Sequence, residues 1–297
     1  MSLSFGPAEA QEADRLIALA LAEDIPAGDV TSEAIIPAGV RVRGGFAARS
    51  HGVICGIPVV ERLFAKLDAA VGLNARQEDG EEARPGVPFL EVSGPAWAIL
   101  AGERTALNFL QRLSGIATRA HEWSAALTGS RAALLDTRKT SPGWRRLEKY
   151  AVRAGGGSNH RASLSDQALV KDNHVLILRR LGGSKARDWV GAIRRRHPGM
   201  IVEVEVDGLE EFREAIESGA DIILLDNMKP EAMAQAVRER DDRGGPPPLL
   251  EASGGIDAAK LREVARSGVE RISSGALTHS AVALDIGFDL SEVEQCG

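Results

Sequence analysis

The chain is short of several features that would decide its function class at once. Cysteine is almost missing: among 297 residues only Cys55 and Cys296 occur, far apart and without paired spacing. That excludes a disulfide framework and leads to a reducing compartment, the cytoplasm, as the expected location. A basic surplus is missing too. The net charge is −6, which gives no basis for general nucleic-acid affinity. No apolar run reaches the ~18 residues a membrane span needs. The opening MSLSFGPAEAQEADR lacks the basic and apolar regions of a signal peptide, so none is expected. No G-x-G-x-x-G opens a helix after a first strand, which argues against an open dinucleotide-binding sheet. What is present is an ordinary globular composition, 44% hydrophobic and 26% charged, with length for one large α/β domain or two smaller ones.

Periodicity divides the chain in two. Residues 8–22 carry apolar positions at helical spacing behind acidic residues. VRVRGGFAAR (40–49) alternates, and with HGVICGIP (51–58) it predicts strand, turn, strand. VVERLFAKLDAAVG predicts an amphipathic helix. After PFLEVSGPAWAIL, a long helical pattern puts Ala106, Phe109, Leu110 and Leu113 on one face. This first part, residues 1–112, mixes strands and helices without a repeat.

From about residue 132 a repeat sets in. AALLD (132–136), QALV (167–170), MIVEVE (200–205), DIILLD (221–226), PPLLEAS (247–253) and VERISS (269–274) are short apolar runs. Helical patterns lie between most of them, several closing on glycine. Glu205, Asp226 and Glu251 read as acidic strand ends spaced 21 and 25 residues apart, the length of one strand-plus-helix unit. Parallel strands with covering helices follow. Polar residues gathered at strand C-termini favour a (β/α) barrel, whose active sites occupy that face.

Charge concentrates in the same region. The window 138–171 is +6 in a chain of net −6. Arg145, Arg146, Lys149 and Arg153 fit a solvated helix face. Arg138-Lys139, His160-Arg161 and Lys171 instead lie in turns beside apolar runs. Cations converging on one barrel mouth repel each other unless an anion binds, and Arg offers a planar fork suited to carboxylates. GGGSNHR (155–161) reads either as a helix C-cap and turn or as a phosphate cradle. His160 and His174 have no partner at zinc-ligand spacing. Lys171 could alternatively form a Schiff base. Glu205 and Asp226 could hold Mg²⁺ through water, contact sugar hydroxyls, or cap strands. Ser253-Gly254-Gly255 and Ser274-Gly275 have the composition and place of a barrel's phosphate-binding turns.

The long motifs LLDTRKTSPGWRRLEKYAVRAGGGSNHR (134–161), LSDQALVKDNH (164–174), DIILLDNM (221–228), EASGGI (251–256) and RISSGALTHS (271–280) closely resemble the quinolinate phosphoribosyltransferase family. The resemblance spans almost the whole chain. It implies an N-terminal α/β sandwich-like domain (1–112) and an incomplete (β/α) barrel of fewer than eight strands (113–280), with the tail from about residue 281 returning to the first domain. It implies transfer of the phosphoribosyl group of phosphoribosyl pyrophosphate to quinolinate, with loss of CO₂, and Mg²⁺ as cofactor. Carried over by position, Arg138, Lys139, His160, Arg161 and Lys171 surround the quinolinate carboxylates, and Arg104 reaches them from the partner of a homodimer, which could build further into a hexamer. Glu205 and Asp226 serve the ribose hydroxyls and Mg²⁺-pyrophosphate. Ser253, Gly254, Gly255, Ser274, Gly275 and His279 take the 5′-phosphate. Lys139, Lys171, Glu205 and Asp226 are the expected catalytic set. The rivals are a molybdenum-transport accessory protein of the same fold, against which Thr137-Arg138-Lys139-Thr140 argues, nicotinate phosphoribosyltransferase, which handles one carboxylate, a lysine Schiff-base lyase and a non-catalytic sugar-phosphate binding protein.

Overall fold

A computed structural model describes residues 3–181 and 186–295; Cys296 lies outside them. In chain order the elements are α1 (Pro7–Asp24), α2 (Val30–Ile35), β1 (Val40–Ala48), α3 (Ile57–Leu67), β2 (Gly72–Ala75), β3 (Pro88–Pro95), α4 (Ala96–Ala126), β4 (Ala133–Leu135) and α5 (Arg145–Ala154). Then come β5 (Ala168–Val170), α6 (Asp172–Arg180), α7 (Ala186–Arg196), β6 (Val202–Val206), α8 (Leu209–Ser218), β7 (Ile222–Asp226) and α9 (Pro230–Asp241). The last are β8 (Leu249–Ser253), α10 (Leu261–Arg266), β9 (Arg271–Ser273), α11 (Ala276–His279) and β10 (Ile286–Gln295). These form two compact units. One takes the chain up to Glu122, Thr140–Gly156 and the stretch from Leu277 onward; the other takes Trp123–Lys139 and Gly157–Ala276.

The first unit is built on an antiparallel sheet in the order β10-β1-β3-β2. Alternation in β1 sends Val42 and Phe46 into the core. Phe46 meets Phe288 of β10 at 4.8 Å and Phe64 of α3 at 6.5 Å. The apolar face of α3 (Val59, Val60, Leu63, Phe64) is wholly buried. Ala106, Phe109, Leu110 and Leu113 of α4 are buried as the spacing predicts.

Two expectations fail in this unit. HGVICGIP does not form a second strand; Val53 makes only an isolated bridge to Glu82. Side chains take the backbone donors a partner strand would have used. Val53 N–H donates to Thr118 Oγ1 (2.9 Å), Cys55 N–H to Ser114 Oγ (2.9 Å), and the Gly56 and Ile57 N–H groups to the Asp79 carboxylate (2.9 and 3.0 Å). Gly56 sits at φ +116, a turn that only glycine makes cheaply, and starts α3. Cys55 is fully buried, and that burial pushes its thiol up, as an inert core residue. The second failure is the solvated face of α5. Lys149 is 3% exposed, Arg153 pairs with Glu9 at 2.9 Å, and Arg145 Nε donates to Thr140 Oγ1 at 3.1 Å. Helix α1 covers α5: Leu147 N–H donates to Glu12 (2.9 Å), and Phe5 packs edge-on to Tyr150 at 5.1 Å. Of the four cations only Arg146 is exposed.

The second unit is the barrel region. All six apolar runs become parallel strands, in the order β4-β9-β8-β7-β6-β5, so the sheet has fewer than eight strands as expected. Core side chains from α8, α9 and α10, among them Phe212, Met233 and Leu261, are buried. The glycine run 155–157 resolves as a helix end: Gly155 N–H donates to Ala151 O of α5, and Gly156 turns at φ +84. Beyond it Ser158 N–H donates to Leu134 O (2.8 Å) and Asp136 N–H to Ser158 O (3.2 Å), which draws residue 158 alongside β4. Helix α6 escapes the sequence pattern because none of its residues is buried. No helix among the described residues is long and apolar enough to cross a membrane.

Candidate active site

The β6 sequence Val-Glu-Val-Glu-Val organises the site. Successive side chains point to opposite faces of a strand, so the buried Val202, Val204 and Val206 share one face while Glu203 and Glu205 share the other. Glu203 is fully buried, and so is Glu251 of β8. Glu251 is not a strand end, as its spacing suggested. It sits mid-strand in register with Arg271 of β9, and Ser253 ends β8. Arg271 Nε donates to Glu251 Oε2 at 2.6 Å.

His160 fills the space between the two acids. Its Nε2 lies 3.1 Å from Glu203 Oε2 and 3.3 Å from Glu251 Oε1. Its Nδ1 accepts the Arg161 N–H at 2.7 Å, so the ring's own proton is on Nε2, facing both carboxylates. Burial alone would lower the His160 pKa; Glu203 and Glu251 outweigh it and raise it to about 9. Burial and the neighbouring Glu251 push Glu203 up. Burial also works against an ionised Glu251, but His160 and Arg271 hold it below the usual carboxylate range. The three groups thus share one additional proton, which together with Arg271 makes the layer electroneutral. Asp136, fully buried beyond β4, anchors the same segment by accepting the His160 N–H (2.8 Å) and Asn159 Nδ2 (2.6 Å).

Toward the strand C-termini two cavities adjoin. Arg138, Arg161 and Lys171 line one of about 660 Å³, whose remaining walls are His174, Asp188 and mainly apolar side chains such as Leu169, Val170, Leu178, Trp189 and Ile193. Arg161 Nη1 donates to Gln167 O at 3.0 Å. Burial chiefly, then the nearby Arg138 charge, lowers the Arg161 pKa. Glu205 and Asp226 line the other, about 280 Å³, together with Asp207 and again Trp189. An ion pair between Lys171 Nζ and Glu205 Oε2 joins the two. Asp226 accepts Asn227 Nδ2 at 2.6 Å.

The remaining expected residues are placed as follows. Lys139 is exposed in the turn after β4, its N–H donating to Thr137 Oγ1 (3.0 Å), and it does not line the cation cavity. His160 faces inward rather than into that cavity. Ser253-Gly254-Gly255 forms a turn with φ +92 and +57 at its glycines, and a Cβ on Gly254 would lie 2.4 Å from Asn227 Oδ1. Asn227, itself at φ +53, donates its N–H to Ser253 O (3.0 Å), tying this turn to the end of β7. Ser274 is buried with Oγ donating to Ile256 O (2.8 Å), beside the buried Gly275. Arg104, on α4, and His279, at the end of α11, are exposed in the first unit; His279 Nδ1 lies 2.7 Å from Ser280 Oγ.

Sequence reasoning missed Glu203, Gln167, Arg271, Asn227 and Trp189. The available signal was an acidic residue at alternate positions within a strand otherwise expected to be buried. Glu205, Asp226 and Asp207 offer only hard oxygen donors, a set that suits Mg²⁺ held through water and substrate phosphates.

The family signature described as the N-terminal domain of quinolinate phosphoribosyl transferase matches residues 29–114, and that of its C-terminal domain matches residues 116–289. A Mycobacterium leprae relative, nicotinate-nucleotide pyrophosphorylase [carboxylating], is 43% identical over 91% of this chain and 94% of its own. A Bacillus subtilis protein, a probable enzyme of the same name, is 40% identical over 92% and 93%. The solved nicotinate-nucleotide pyrophosphorylase from Francisella tularensis superposes with a TM-score of 0.88 at 34% identity, covering 95% of this chain and 96% of that one. With both of its domains matched in order and relatives similar over nearly their full length, the chain belongs to the quinolinate phosphoribosyltransferase family.

Proposed function

We propose that this protein transfers the phosphoribosyl group of phosphoribosyl pyrophosphate to quinolinate, releasing CO₂ and pyrophosphate and forming nicotinate mononucleotide for NAD biosynthesis. The observation that carries the reading is the pairing of a cation-lined cavity with an acid-lined one, joined through Lys171 and Glu205. A dicarboxylate needs the first, and a polyhydroxylated pyrophosphate ester with its metal needs the second.

In this reading Arg138, Arg161 and Lys171 hold the two carboxylates and orient the pyridine nitrogen toward the ribose. The nitrogen lone pair forms the bond to C1 as the C1–O bond to pyrophosphate breaks, and the oxygen leaves with that bond's electrons. The ribose ring gains oxocarbenium character on the way, which the fixed carboxylates Glu205 and Asp226 favour. Glu205 and Asp226 would hold Mg²⁺, which when bound would supply charge neutralisation at the pyrophosphate. The ring nitrogen is now cationic. The C2–carboxylate bond then breaks, its electrons stay at C2 beside the positive nitrogen, CO₂ departs and C2 takes up a proton. The 5′-phosphate is assigned to the turns of Ser253-Gly254-Gly255 and Ser274-Gly275. Arg104 completes the carboxylate site from the partner in a homodimer, and Lys139 approaches the same ligand from the β4 turn. A cytoplasmic location fits this metabolism. Nothing favours the molybdenum-transport or Schiff-base readings.

Incubation with quinolinate, phosphoribosyl pyrophosphate and Mg²⁺ tests the proposal. Nicotinate mononucleotide is the expected product; consumption of neither substrate would overturn it.

A further inference from the structure

The cations of the proposed quinolinate site do not sit on strands. Arg161 sits in the segment 158–167 between the glycine turn and β5, and a loop cation needs something to aim it. Glu203 Oε2 is where both ends of that loop meet. It accepts Gln167 Nε2 at 2.6 Å, and His160 Nε2 lies 3.1 Å from it. Between these ends Arg161 is tied to both: its N–H donates to His160 Nδ1 (2.7 Å) and its Nη1 to Gln167 O (3.0 Å). Glu251 braces His160 from β8 and is itself held by Arg271 of β9. Asp136 secures the backbone at His160. Two strands of the sheet, with β9 behind one of them, therefore converge on one histidine ring, and through it on one arginine.

We propose that Glu203 and Glu251 are positioning residues that clamp the 160–167 loop and thereby fix Arg161 in the quinolinate cavity, an inference that rests on the function proposed above. His160 belongs to the clamp as its central bolt. The charged groups facing it are Glu203 on β6, Glu251 on β8, Arg271 on β9, Asp136 beyond β4 and Arg161 beside it. With three acids against two arginines, one proton shared by His160 and the acids balances these groups. Zinc in place of the proton would leave a surplus positive charge beside Arg271, so the proton is the better fit.

The test is kinetic and spectroscopic. In Glu203→Gln the quinolinate KM should rise about tenfold while the phosphoribosyl pyrophosphate KM stays within about twofold. Placed in an Arg161→Ala background, the same change should cost less than about twofold, because the clamp acts through Arg161. Additive costs in the double variant would overturn the proposal. The His160 Nε2–H should give a hydrogen-bonded imidazole NMR signal in the wild type that moves in Glu203→Gln; an unchanged signal would also overturn it. Glu251→Gln repeats both measurements should Glu203→Gln fail to fold. One equivalent of divalent metal in the purified protein, lost on Glu203→Gln, would contradict the proton in favour of an ion. Arg138→Ala separates the two readings. If it leaves the quinolinate KM unchanged, the substrate assignment fails, while the His160 imidazole signal in Glu203→Gln still decides the clamp.

Discussion

The two adjoining cavities hold their charges by different means. In the acid-lined one, Glu205 and Asp226 project directly from β6 and β7, so sheet register sets their spacing. In the cation-lined one, Arg138 lies in a turn after β4, Arg161 in a loop, and Lys171 at the residue before α6. Strands therefore position the acids proposed to meet the metal and ribose, and loops position the cations proposed to meet the carboxylates. The loops in turn depend on hydrogen bonds to a layer of buried charge beneath. Rigid placement comes free with a strand, whereas a loop residue owes its aim to specific partners.

The largest effect that should expose this difference is on the strand side. Asp226→Asn is expected to cut kcat/KM for phosphoribosyl pyrophosphate by about 10²-fold or more while moving the quinolinate KM little. A fall confined to quinolinate kinetics would break the division. Next, Arg161→Ala should raise the quinolinate KM by tens-fold through loss of a charge-assisted fork. Arg161→Lys should recover only part of it, since a point charge cannot replace a planar fork. Equal kinetics for the lysine and wild-type proteins would remove the fork from the account.

A smaller effect appears in stability. The folded His160 site binds its proton above the unfolded value of 6.5, with release near 9. Its contribution is therefore fully present below pH 6.5 and lost as pH rises toward 9, because the native state holds the extra proton across that window. Thermal denaturation should show the melting temperature falling between these pH values, and the slope should flatten in Glu203→Gln. A rising trend in the wild type would contradict the sign. Smaller again, Gly254→Ala forces a Cβ to within 2.4 Å of Asn227 Oδ1 at φ +92 and should cost about 1–3 kcal/mol of stability. The loss should appear in phosphoribosyl pyrophosphate kinetics before it appears in quinolinate kinetics. Smallest of all, the exposed Arg146→Ala should stay within about 0.5 kcal/mol of wild type by chemical denaturation.

Much of the barrel was legible because its signal is local. Six apolar runs at strand-plus-helix spacing translate directly into six parallel strands, and the cations beside them stand out by charge alone. Arg138, Arg161 and Lys171 do meet in one cavity, and Glu205 and Asp226 in the next. What was not legible depends on partners distant in sequence. Whether HGVICGIP pairs as a strand depends on Asp79, Ser114 and Thr118 taking its donors. Whether the α5 cations meet water depends on α1 covering them. Glu203 and Glu251 read as ordinary strand acids until β6, β8 and the His160 segment come together. The identity of the anion proposed for this cavity was not legible from charge at all; it came from long motifs shared with a family.

The central claim is that the cation cavity is built for two carboxylates rather than one. Equilibrium binding of quinolinate and of nicotinate to the wild-type protein and to Arg138→Ala tests it most directly. Quinolinate should bind the wild type about tenfold or more tightly than nicotinate, from the additional charge-assisted contacts, and the gap should narrow sharply in Arg138→Ala. Equal binding of the two acids to the wild type, or a gap that Arg138→Ala leaves intact, would contradict it.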